Sequence, residues 1–121
     1  MRTEPALDFA DSEASAVTAD GTTLRIRFAA ARVDGGWLPS LELALTGATW
    51  TGTLGDCIGR IAEGRVRVDG RESARLTIPC ALAGDIALEL RFANATTLSA
   101  RGRALSVTPP GDAQAVDDFS C

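Results

Sequence analysis

The sequence has no histidine, no lysine and no tyrosine, and aromatic residues make up only 5% of it. Histidine is the usual neutral-pH proton carrier and lysine the usual amine nucleophile, so the commonest enzyme mechanisms lose their side chains. All twelve basic residues are arginine, which stays charged at any working pH and does not act as an ordinary general base. An arginine-only, alanine- and glycine-rich composition is what nucleotide bias in a source genome produces, and no function is read from it. Cysteine is scarce: Cys57, Cys80 and Cys121 stand far apart, with no C-x-x-C pair. Without histidine they do not make an ordinary zinc site. No apolar run opens the chain; MRTEPALDFADSEAS is polar and acidic, neither a signal peptide nor a membrane span. The expectation is a cytoplasmic protein with reduced thiols, no cofactor, no metal and no membrane.

What is present is alternation. Ile86, Leu88, Leu90 and Phe92 alternate with Ala87, Glu89 and Arg91, the period of a half-buried strand. The segments LRIRFAAAR (24–32), LELALTGAT (41–49) and LELRFANAT (88–96) resemble one another, so one strand template serves several times. Asp20-Gly21 and Asp69-Gly70 are hairpin signals, and Asp34-Gly35-Gly36 is a loop. Strands are expected over 12–18, 22–33, 41–53, 60–69, 72–80, 86–92 and 97–107. Residues 1–7 read as a frayed segment and 112–121 as an acidic C-terminal tail. In the last strand the inward parity changes between Gly102 and Leu105, which predicts a bulge there. The alternative reading of the slip is that Arg101 and Arg103 turn toward a partner, for which the acidic tail is a candidate. The fold expected is a single all-β domain over 1–121, an antiparallel β-sandwich or barrel of about 7–8 strands linked by hairpins.

Charge is uneven. Residues 1–20 carry five acids against Arg2, net −4, and 111–121 carry three aspartates, net −3. Between them eleven arginines face eight acids, net +3. Arg25, Arg27, Arg65, Arg67, Arg91, Arg101 and Arg103 fall on outward positions. No aromatics are interleaved with them and the isoelectric point is about 4.7, so nucleic acid is not the expected partner. Glu42, Glu63, Glu72 and Glu89 are placed to pair with these arginines across strands.

The glycine-rich TGTLGDCIGR (51–60) lacks the Lys-Ser/Thr ending of a P-loop. Its Cys57 has no histidine to activate it. Asp8, Asp11 and Glu13 lack the glycine and the distal glutamate of a calcium loop. No catalytic residue emerges. Candidate binding residues are Trp37, Trp50, Asp56, Cys57, Arg60, Arg101 and Arg103. The leading reading is a small, non-enzymatic, bacterial-type β-domain that binds another protein, with self-association as a homodimer included. A small-ligand-binding barrel with Trp37 and Trp50 at its mouth is the alternative, and a carboxylate-based enzyme the third.

Overall fold

Apolar alternation puts each long strand on the wall of a barrel. In β2, Thr23–Val33, the side chains of Leu24, Ile26 and Phe28 are wholly buried while Arg25 and Arg27 are exposed. In β9, Cys80–Phe92, the buried set is Ile86, Leu88, Leu90 and Phe92. The computed structural model describes residues 5–78 and 80–108, and the expected 112–121 tail lies outside them.

The remaining strands are β1 (Ala6–Asp20), β3 (Gly36–Leu38), β4 (Glu42–Thr46), β5 (Thr49–Thr51), β6 (Gly59–Val68), β7 (Arg71–Ser73), β8 (Arg75–Thr77) and β10 (Thr97–Thr108). Six of them close a ring in the order β1-β2-β4-β10-β9-β6, with every described pairing antiparallel. The barrel is two three-stranded meanders, β1-β2-β4 and β6-β9-β10, joined along two seams. β3, β5, β7 and β8 are short attachments to β2, β10, β6 and β1. Closure leaves few free edges. The interior is filled by Phe9, Phe28, Phe92 and aliphatic side chains, all wholly or almost wholly buried.

The turns follow residue chemistry. Asp34-Gly35 and Asp69-Gly70 each have positive φ at both residues and link strands paired directly beyond them, Val33↔Gly36 and Val68↔Arg71. That is the twist-matched two-residue hairpin. Asp34-Gly35 is therefore a tight turn into β3 rather than an open loop.

Several expected boundaries move. The segment expected to fray is strand from Ala6, because Leu7 is wholly buried between Val33 of β2 and Leu76 of β8. The expected 41–53 strand divides at Gly47, whose φ is +62. The expected 72–80 strand divides into β7 and β8, and β9 begins six residues early at Cys80. Between β5 and β6 a 3₁₀ turn, Leu54–Asp56, carries the chain across the barrel end to β6 beside β1. No helix among the described residues is long and apolar enough to cross a membrane.

Candidate functional site

The outer face of β5, β10, β9 and β6 is a grid of side chains fixed by register. One row runs Thr97, Arg91, Glu63 across β10, β9 and β6. The next runs Thr51, Ser99, Glu89, Arg65, beginning on β5. The third runs Thr49, Arg101, Ala87, Arg67. Outward position follows from parity, since Ile86, Leu88, Leu90, Leu98 and Ala100 point into the core.

The first two rows are charge-complementary. Arg91 pairs with Glu63, and the Arg65 guanidinium lies 3.0 Å from Glu89. The hydrogen bond that Arg65 Nε donates to Glu89, with Glu72 nearby, raises the pKa of Arg65 and holds it charged. In the third row the middle position is a methyl group. Ala87 separates Arg101 from Arg67, where its neighbours in the same strand, Glu89 and Arg91, each meet an opposite charge. Arg67 reaches sideways to Glu72 on β7 at 3.0 Å. Arg101 and Arg103 make no ion pair among the described residues.

The surface is concave at this row. A hollow of about 410 Å³ is lined by Thr49, Trp50, Arg67, Ala87, Ser99 and Arg101, among others. A second, of about 390 Å³, shares Thr49 and Arg101 and adds Gly47, Asp85 and Arg103. The Arg103 stem lies over Gly47, 3.4 Å from where a β-carbon would stand. Small residues at the floor and guanidinium groups at the rim leave space with strong hydrogen-bond donors around it. Such a hollow suits a carboxylate, which guanidinium can grip with two parallel bonds.

The sequence-predicted residues divide into three places. Trp50, Arg101 and Arg103 meet at these hollows. Trp37 and Arg60 belong to a second cluster near the β1 bulge. The Arg32 guanidinium sits over the Trp37 ring at 5.7 Å, and the Asp11 carboxylate lies 4.0 Å from Arg32 and 3.0 Å from Arg60. Asp56 and Cys57 lie in the crossover at the barrel end. There the Asp56 carbonyl accepts a bond from Asn94 Nδ2 at 2.9 Å, and the Cys57 thiol donates to the Thr53 carbonyl at 3.4 Å. Burial, and secondarily the Asp56 charge, pushes the Cys57 thiol upward in pKa, so it is a protonated core group.

The two tryptophans are not neighbours. Trp50 follows the end of β4 that lies beside Leu24, while Trp37 pairs with Arg32 at the far end of β2. Eight residues of strand separate those levels, ~26 Å at ~3.3 Å per residue. Trp50 stands at the hollow with Arg101 and Trp37 stands with Arg32, so the two residues expected at one mouth lie in separate clusters. Sequence reasoning missed Arg67, Ala87, Thr49 and Ser99 at the hollow and Arg32 and Asp11 at the second cluster. Only the expected pairing of Glu63, Glu72 and Glu89 with arginines pointed toward the ladder, and those pairs form. Comparison with protein families, with curated proteins and with solved structures gives no match.

Proposed function

We propose that this chain is a non-catalytic, cytoplasmic protein-interaction domain that docks an acidic segment of a partner on the outer face of β5, β10, β9 and β6. The observation that carries this reading is the break in the charge ladder at Ala87. Where the adjoining rows of β9 place opposite charges side by side, this row leaves two guanidinium groups flanking a methyl over an open hollow. A carboxylate from outside completes the pattern. The residue chemistry supports a binding role: Cys57 is buried and protonated, and the chain has no histidine or lysine. Cys57 and Cys80 are unbridged, which agrees with a reducing compartment.

An extended peptide carrying several aspartates tests the reading, with its Asp→Asn counterpart as control. Titrated against the full chain in NMR, it is expected to move the amide signals of Thr49, Ala87, Ser99 and Arg101. Arg101→Gln is expected to weaken binding about two- to fivefold, as loss of one exposed ion pair of about 0.5–1 kcal/mol does. Added salt weakens binding too, since exposed charges are screened within about a Debye length of ~8–10 Å. Shifts no larger than those of the Asn control, or an Arg101→Gln affinity equal to wild type, overturn the proposal.

A further inference from the structure

We infer that the Arg67–Ala87–Arg101 hollow is occupied in cis by the acidic C-terminal segment of the chain, residues 112–118, which competes there with an outside ligand. This rests on the docking reading and names the regulation of the same site. Three observations carry it. Arg101 and Arg103 stand two residues apart, line a common hollow and find no carboxylate among the described residues. Asp85 lines that hollow as well, and its carboxylate makes no ion pair with either arginine among the described residues. The segment after β10 has the complementary charge: 109–121 contains Asp112, Asp117 and Asp118 and no basic residue.

Length fits as well. Arg101 lies seven residues back from Thr108 along β10, ~23 Å at ~3.3 Å per residue. Asp117 and Asp118 follow Thr108 by nine and ten residues, enough to span ~30 Å when extended. They reach the level of Arg101 and Ala87, while Asp112, only four residues on, does not. Pro109-Pro110-Gly111 provides turn chemistry at the point where the chain must reverse. A short covalent tether gives an effective concentration in the millimolar range, so even a weak carboxylate contact competes with a free peptide.

A nitroxide on Cys121 of the full chain tests this. Cys57 is wholly buried, and Cys80→Ser removes the other reactive thiol. The label is expected to broaden the amide signals of Ala87, Ser99 and Arg101 by half or more and to leave those of Arg32 and Trp37 sharp. Arg101→Gln with Arg103→Gln, or the triple variant Asp112→Asn, Asp117→Asn and Asp118→Asn, should restore the signals. The triple Asn variant should also bind the aspartate peptide about twofold or more tighter than wild type, because the competitor is gone. No broadening at Ala87, or broadening that persists in the Arg→Gln variant, overturns the inference. If the peptide still binds in that case, the docking reading stands alone; if the triple Asn variant also fails to bind peptide, both fall.

Discussion

Cys57 and Cys80 govern the response of this protein to alkali because almost nothing else in it titrates there. Burial, reinforced at Cys57 by Asp56 and opposed at Cys80 by the Val107 backbone, raises both thiols above the ordinary value of 9.0. A thiol that holds its proton more tightly when folded contributes its stability fully below the unfolded pKa. That contribution is lost as pH rises through 9.0 toward the native value. With no histidine, lysine or tyrosine, no side chain of ordinary pKa changes charge between roughly pH 6 and pH 8. The expected urea midpoint is flat across that range and falls above about pH 9. Replacing Cys57 and Cys80 by alanine lowers the plateau but flattens the alkaline limb. A wild-type midpoint constant to about pH 10.5, roughly 1.5 units above the ordinary thiol value, would contradict this.

Ser12 shows the limit of reading single residues. It is wholly buried, donates to the Asp8 carbonyl at 2.6 Å and accepts the Arg32 N–H at 2.9 Å. This clamps a register jump in β1 at Asp11, whose φ is +73. A serine among acidic residues looks like surface in sequence, and nothing in its neighbours signals that it is a buried clamp.

At the scale of the element, β10 is legible in sequence down to its irregularity. Its inward set changes from Leu98, Ala100 and Gly102 to Leu105 and Val107, the slip expected from parity. The register with β9 shifts at that point, but the extra residue is on β9, where three steps from Ile86 to Ala83 face two from Gly102 to Ala104. Gly102 is required there by space. A β-carbon would stand 2.7 Å from Leu45 Cγ and 2.8 Å from the Thr46 carbonyl oxygen. Gly102→Ala should destabilise the barrel by about 1–3 kcal/mol, since backbone as well as side chain must move. Thermal unfolding should fall by about 4 °C or more. Gly55→Ala, with open space around it, serves as the control and should stay near wild type. Equal melting temperatures for the two variants would show that the β10–β4 seam gives way freely. The hydrophobic faces of β2, β9 and β10 were readable because each is set by its own alternation. The crossover and the division at Gly47 were not, because they depend on where β4 and β5 meet β10.

At the scale of the whole molecule, barrel closure turns local alternation into a two-dimensional charge pattern. Ala87 in isolation is only the outward residue between Ile86 and Leu88. It becomes a gap in a ladder once β10 and β6 are set beside β9 in register, which no single strand encodes. The separation of Trp37 from Trp50 is of the same kind: both are visible in sequence, and only the pairing of β3 with β2 and of β5 with β10 places them in separate clusters. This global pattern makes a discriminating substitution available. Ala87→Glu supplies from within the carboxylate that the docking reading expects from outside. Flanked by Arg101 and Arg67, the new side chain should add about 0.3 kcal/mol, as cross-strand opposite charges do. That corresponds to a rise of about 1–2 °C in melting temperature. The same variant should lose the aspartate peptide and release the Cys121 label from Ala87 and its neighbours, since the hollow is filled and its charge neutralised. Ala87→Gln, similar in size but neutral, separates filling from charge: it should give no thermal gain and only partial loss of peptide. A Glu variant that melts below wild type and still binds peptide would mean that the arginines flanking residue 87 face solvent and nothing else.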